Sequence, residues 1–321
     1  MKLVYVIGNG LDKRLGLATS YNEFYEYYLS QQTHSQLVED LKNHLSRERY
    51  TTWADLEEGL GFYTKQIPSV AALEEIVHDI SSNLKNYLLK VEDSFNPEYQ
   101  LSSRFLTELV QPWGALLPGA AREVGRRVAG DANREIDIIS LNYTFSIEKM
   151  VSRVHDRGNY PYELVRNCYL RSIKHIHQSL GDDEVIIGVN DESQIINEEL
   201  RSEECYQLLV KPYINQQLQH LIDEESFQLI NNADVICIFG ASLGNTDLVW
   251  WRAIGERVAH SNAIVLYFAY DGDVVIHNND KIKKQTSYTK LLTSQCGLEE
   301  RDGVFDGQLF IGYKRPLFEV I

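Results

Sequence analysis

Val4-Tyr5-Val6-Ile7-Gly8-Asn9-Gly10-Leu11-Asp12 stands at the head of the chain and decides its class. The apolar, partly β-branched run reads as a buried strand, and Gly8-Asn9-Gly10 turns it at once into a helix or loop. Glycine permits the sharp turn and lets a ligand phosphate approach backbone N–H groups. Open α/β sheets keep their ligands beyond the carboxyl ends of such strands. Two readings stand side by side: a phosphate-cradling loop of Gly8, Asn9 and Gly10, or a tight strand-to-helix turn with no ligand. The full G-x-G-x-x-G pattern is absent, because Lys13 occupies the third glycine's place.

Outward from this strand the pattern changes. Ser20 and Glu23 have the spacing of a capping box, which predicts a helix start. From there to about Arg134 the sequence reads as helices. Leu37, Leu41 and Leu45, then Ile76, Ile80, Leu84 and Leu88, form apolar stripes, and Pro68, Pro97, Pro112 and Pro118 divide the block. Strand patterns return at Ile136–Leu141, Ile173–His177, Glu184–Val189, Asp234–Phe239, Ala263–Phe268 and Leu309–Tyr313. Continuous apolar runs such as Asp234–Phe239 suit a parallel sheet buried on both faces. The expected class is α/β, a parallel sheet with a large all-helical insertion after the first strand. The expected division is a nucleotide-binding core of residues 1–20 plus 135–270, a helical insertion of 21–134, and a C-terminal segment of 271–321 packing on the core.

Composition narrows the function classes. The 321 residues carry a net charge of −15, which repels phosphate backbones and argues against non-specific nucleic-acid binding. Cys168, Cys205, Cys237 and Cys296 form no C-x-x-C pair, so no structural zinc is expected. Free thiols, no 18-residue apolar run and no leader-like N-terminus lead to the expectation of a cytoplasmic protein without a membrane span. Tyrosine is abundant over Tyr21–Tyr28, which fits either an interface or a half-buried helix packed within the chain.

Chemistry-bearing residues cluster where strands end. Asn142-Tyr143-Thr144 follows one strand; Asn142 fits a ligand contact or a turn and cap role. His175 and His177 share a face if the strand alternates through them, with Ile176 opposite. No third ligand stands nearby, so no metal is expected. Gly240-Ala241-Ser242-Leu243-Gly244-Asn245-Thr246-Asp247 is a second small-residue loop, in which Ser242 and Asp247 suit ribose hydroxyls, or Thr246 and Asp247 suit helix caps. In Trp53-Ala54-Asp55-Leu56-Glu57-Glu58 the acidic residues favour the positive end of a helix, a structural explanation.

Taken together, GNGLDKRLGLATSY, WADLEE, SLNYTFSIE and GASLGNTD, with HIHQSLGDDEVIIGVN between the last two, resemble the AbiH family of bacterial abortive-infection proteins from about Val4 to Asp247. That family is similar to the sirtuin-like superfamily, which implies a Rossmann-like (sirtuin-like) sheet. Gly8-Asn9-Gly10-Leu11 and Gly16-Leu17-Ala18 correspond to the sirtuin-type Gly-Ala-Gly-Ile and Gly-Ile-Pro. Asn142-Tyr143-Thr144 corresponds to an Asn-Tyr-Asp with Thr for Asp, and His177-Gln178 to a His-Gly with Gln for Gly. Gly240-Ala241-Ser242 and Asp247 correspond to a Gly-Tyr-Ser loop and its following Asp. The sirtuin zinc ribbon is missing.

The resemblance implies phage defence by a protein that binds NAD or a related nucleotide and hydrolyses its N-glycosidic bond, as an NAD glycohydrolase-like enzyme. It implies His177 as base or ribose-hydroxyl partner and Asn142 as the positioning residue. Gly8, Asn9, Gly10, Asp12, Thr144, Gly240, Ser242 and Asp247 would contact the nucleotide, and Asp55 and Glu57 would cap the site. NAD is substrate or ligand, with no further cofactor required. A phage-derived trigger protein and a homo-oligomer are the implied partners. Asn9 for alanine, Asp12 beside the phosphate loop and Gln178 depart from the pattern; Asp12 would oppose a pyrophosphate unless it finds a partner. Two alternatives remain: a non-catalytic nucleotide-binding sensor or assembly module, and a nucleic-acid-processing effector.

Overall fold

The computed structural model describes residues 1–130, 133–155, 160–182, 185–219, 221–269, 278–299, 307–312 and 317–318. Its central strand is β1, Lys2–Ile7, fully buried after Lys2. The short α1, Gly10–Arg14, leaves it at once. Next come α2 (Tyr21–Ser30), α3 (Gln36–Glu48), α4 (Leu56–Tyr63), α5 (Val70–Asp93), α6 (Tyr99–Val110) and α7 (Pro118–Arg127). The second half holds β2 (Arg134–Ser140), α8 (Ser146–Val154), β3 (Tyr162–Val165), β4 (Cys168–His175), α9 (Glu203–Leu209), α10 (Lys211–Gln217) and α11 (Ile222–Asn231). It ends with β5 (Val235–Phe239), α12 (Leu248–Ala259), β6 (Ile264–Phe268), α13 (Asn278–Gln295) and β7 (Leu309–Gly312).

The sheet runs β3-β4-β2-β1-β5-β6-β7. All neighbours are parallel except the β3–β4 pair. Leaving out β3, the strands follow the doubly wound order of a Rossmann-like fold, and the order reverses between β1 and β5. Alternation sorts the side chains of β1. Leu3, Tyr5 and Ile7 join a core with Phe105 and Leu109 of α6, Val124 of α7 and Met150 of α8. Val4 and Val6 join the opposite core with Ile230 of α11, Trp251 and Ile254 of α12 and Leu292 of α13. β7 is part of the sheet, paired with β6 from Val265↔Leu309 to Phe268↔Gly312. Of the expected Leu309–Tyr313 strand, Tyr313 lies outside the described residues, as do 270–277 and most of 300–321 in the C-terminal segment.

A third core forms a helical cap over the carboxyl ends of the strands. It joins Phe24, Tyr25 and Tyr28 of α2, Leu41 and Leu45 of α3, Trp53, Leu56 and Leu60 around α4, and the apolar stripe of α5. The capping box at Ser20 and Glu23 is present. The tyrosine-rich helix turns inward: the Tyr25 hydroxyl donates to Trp53 O at 2.9 Å, and Tyr28 donates to Asp79 at 2.6 Å.

Two expectations from the sequence are corrected. Val185–Gly188 is irregular chain, and only Val189 forms an isolated bridge, to Val210. Val185, Ile187 and Val189 are apolar because they pack into the cap core with Leu209 and Val210. Glu184, the first residue of that expected strand, lies outside the described residues. The other correction concerns the histidines. β4 ends at His175, so strand alternation no longer governs His177, and the two rings engage different carboxylates.

Candidate functional site

The ends of β1, β2, β4 and β5 meet under the cap. They enclose a cavity of about 560 Å³ at the place where the strand order reverses. Gly8, Asn9 and Gly10 come from the end of β1, Asn142 and Thr144 follow β2, and His177 follows β4. Gly240, Ser242 and Asp247 follow β5, and Asp55 and Glu57 enter from the cap at the start of α4. Every residue that the resemblance assigned a site role, Asp12 included, therefore lines this one cavity, whereas His175 and Gln178 do not.

The two glycine loops lean on each other. Gly8 N donates to Phe239 O and Gly10 N to Gly240 O, both at 2.9 Å. Gly240 has φ +65°, and a Cβ there would stand 2.7 Å from Gly10 Cα. A Cβ on Gly8 would stand 2.7 Å from Ala241 Cα. This backbone contact accounts for both glycines without a ligand.

Asn9 and Asp12 have structural partners. The Asn9 amide donates to Thr19 O at 2.8 Å and accepts from the Thr19 hydroxyl, which fastens the loop after α1. Asp12 is buried and accepts from Thr144 Oγ1 at 2.7 Å and Ser146 Oγ at 2.6 Å. Burial raises its pKa to about 6, although the two hydroxyls pull it down. The carboxylate expected to oppose a pyrophosphate is thus turned onto the residues that start α8, and Thr144 is tied to the same contact.

Asn142 is different. It is 5% exposed, and its side-chain Nδ2 and Oδ1 are both buried without a hydrogen-bond partner. Its backbone is held: Asn142 N donates to Ser140 Oγ at 3.2 Å, and His175 Nδ1 lies 2.7 Å from Asn142 O. The other nitrogen of His175 lies 2.8 Å from Glu148 Oε1. Burial lowers the His175 pKa, but the Glu148 carboxylate outweighs it, and the net shift is upward. His175 thus positions the Asn142 backbone and lies outside the cavity lining.

His177 belongs to a buried ionic cluster. Its Nε2 is 3.1 Å from Asp247 Oδ1 and 3.2 Å from Lys211 Nζ. Lys211 Nζ also donates to Glu57 Oε2 at 2.7 Å and Asp247 Oδ1 at 3.2 Å. Glu57 Oε1 accepts from Gly188 N at 3.4 Å. Burial acts to raise the Asp247 pKa, but the Lys211 ammonium outweighs it and holds that carboxyl well below the usual range. Burial raises Glu57, which shares the same ammonium. Lys211 is raised: burial opposes its charge, but Asp247 and Glu57 prevail. Asp55 caps α4, accepting from Glu57 N at 2.9 Å and Glu58 N at 3.0 Å, and burial raises its pKa. Among the described residues, no three His, Cys, Asp or Glu side chains are grouped to hold a metal ion.

The family model for bacteriophage abortive infection AbiH matches residues 4–269. The chain belongs to the AbiH family. No curated protein matches it. A solved structure of a Sir2 homologue mutant in complex with ADP ribose is a distant likeness. It is 12% identical, covers 83% of this chain and 79% of its own, and superposes with a TM-score of 0.33. No helix among the described residues of this AbiH chain is long and apolar enough to cross a membrane.

Sequence reasoning missed Lys211. Lys211-Pro212 reads as a break between helices, and Pro212 does sit in the first turn of α10. A lysine only 5% exposed was the signal, and burial is invisible before the fold is known.

Proposed function

We propose that this cavity binds NAD or a related nucleotide and hydrolyses its N-glycosidic bond, as the effector step of phage abortive infection. The observation that carries the reading is Asn142. A carboxamide whose donor and acceptor are both buried and unpartnered is costly to leave so, and a ligand amide or a held water would satisfy it. Its place at the strand-order reversal, beside two glycine loops, is where a doubly wound sheet takes a nucleotide.

In this reading Gly8, Asn9, Gly10 and Gly240 form the floor under the diphosphate. Ser242 and Asp247 flank the adenosine side, and Asp55 and Glu57 close the site from the cap. Asp12 and Thr144 support the floor from behind through their own hydrogen bond. In the reaction one water adds across the bond. Its oxygen joins the ribose carbon, nicotinamide leaves with the bonding electron pair, and a proton is released through His177 or a ribose hydroxyl that His177 binds. Asn142 holds the water or the nicotinamide amide.

The test is direct. Purified protein is incubated with NAD, and free nicotinamide and ADP-ribose are followed by chromatography, with Asn142→Ala and His177→Ala alongside. Release that both variants lose supports the reading; full turnover by His177→Ala removes that residue's role. A second reading, a nucleotide sensor without turnover, is favoured by the engagement of His177 Nε2 with both Asp247 and Lys211. ADP-ribose that raises the melting temperature while no nicotinamide appears at high protein concentration would decide for the sensor.

A further inference from the structure

We infer that Lys211 is a positioning residue that fixes His177 as its Nδ1–H tautomer, so that the ring meets the cavity as a hydrogen-bond donor. The argument is a donor count. A lysine ammonium has three N–H groups. Three acceptors stand around Lys211 Nζ: Glu57 Oε2 at 2.7 Å, Asp247 Oδ1 at 3.2 Å and His177 Nε2 at 3.2 Å. All three N–H groups are satisfied only if Nε2 offers its lone pair, which puts the ring proton on Nδ1. The opposite tautomer would point Nε2–H at Asp247, 3.1 Å away, and leave one ammonium N–H facing a ring N–H. Lys211 is 5% exposed, so a bare charged donor has no water to turn to. Asp247 loses less, because its Oδ1 keeps the Lys211 bond.

The cluster is set from three directions. Glu57 comes from α4 in the cap, Lys211 from the first turn of α10, and Asp247 from the loop after β5. Asp55 from the cap adds a further carboxylate beside Lys211 and Asp247. Tyr143 packs against the ring, with centroids 6.1 Å apart. Among the described residues, His177 Nδ1 has no protein partner, which leaves it available to a ligand. That last role rests on the nucleotide reading, within which the tautomer makes His177 the ribose-hydroxyl partner and not the base; the tautomer itself does not rest on it.

Long-range ¹H–¹⁵N spectra of labelled protein at pH 8 read the tautomer directly, with His177 assigned by its loss in His177→Gln. The parent should show the Nδ1–H pattern. Lys211→Met should convert it to Nε2–H, since Asp247 is then the only charged partner of Nε2, whereas Lys211→Arg should retain Nδ1–H. An Nε2–H pattern in the parent overturns the inference whether or not any variant folds. So does an unchanged pattern in a folded Lys211→Met. A parent that shows Nδ1–H but neither cleaves NAD nor is stabilised by ADP-ribose sustains the tautomer and refutes the nucleotide reading alone.

Discussion

Replacing Asn142 with leucine should leave the free protein at least as stable as the parent while removing its response to nucleotide. Both side-chain polar atoms of Asn142 are buried and unpartnered. Leaving such a group unsatisfied costs about 1–3 kcal/mol, which an apolar side chain of similar size recovers. The two backbone bonds, to Ser140 Oγ and from the His175 ring, do not involve the amide and persist. Asn142 lines the cavity of about 560 Å³, so the site has open space beside it. For a chain of this length, 1 kcal/mol moves the melting temperature by about 1.5 °C. The expected gain is therefore about 1.5–4 °C by calorimetry or dye-based melting without ligand. ADP-ribose at one hundred times its Kd would stabilise the parent by about 2.7 kcal/mol, or about 4 °C, and the leucine variant by far less. A variant that melts several degrees below the parent, with native circular dichroism, would show that the amide is already bonded in the free protein. An undiminished ligand shift would refute its binding role.

Three further perturbations test the structure independently. Lys211→Met strands Glu57 as a buried carboxylate and leaves Asp247 with His177 alone, and should lower stability by about 3–5 kcal/mol in urea unfolding, with part recovered in Glu57→Gln/Lys211→Met. Asp12 has a folded pKa of about 6 against an ordinary 3.8, so the folded state holds its proton where the unfolded state has lost it. Stability from this group therefore falls as pH rises from about 4 to 6 and stays low above, by about 3 kcal/mol in all; Asp12→Asn should flatten that part of a pH–stability curve. Gly240→Ala puts a Cβ 2.7 Å from Gly10 Cα at φ +65°, and the left-handed conformation alone costs about 1–2 kcal/mol, so a larger total loss should appear in the same urea assay.

The strands of the sheet core were legible because each is an apolar run ending in small or polar residues. Val235–Phe239 and Ile264–Phe268 are buried at every position, as their composition requires. Val185–Gly188 has the same composition for another reason: it is buried by the cap, and a local pattern cannot tell which partner does the burying. The opposite error hides β3. Tyr162–Val165 alternates half-buried and exposed residues at the sheet's edge, too short and too polar to stand out. At the site, the loops after β1, β2 and β5 could be picked out as candidates because strand ends are where such sheets place ligands, and the fold brings them to one cavity. What each side chain does there was not. Asp12 and Thr144 are separated by 132 residues and bond to each other. Lys211 meets Glu57 across 154 residues, a pairing that only the folded chain brings about.

That pairing explains the acidic block of the helical insertion more fully than helix-end electrostatics do. Trp53 is buried in the cap and accepts the Tyr25 hydroxyl on its carbonyl, which fixes the turn before α4. Asp55 caps α4 through the backbone N–H groups of Glu57 and Glu58, which sets the direction of the first turn. That direction sends Glu57 inward to Lys211, and Lys211 carries the contact to Asp247 and His177 on the sheet. Glu58 is half-buried and needs no partner in this chain of contacts. A shift of α4 by about an ångström would stretch the 2.7 Å Glu57–Lys211 contact beyond hydrogen-bond length. The cap thus reaches His177 only through Lys211, so if Lys211 sets the ring's tautomer as inferred above, a change in the cap's seating changes what His177 can donate.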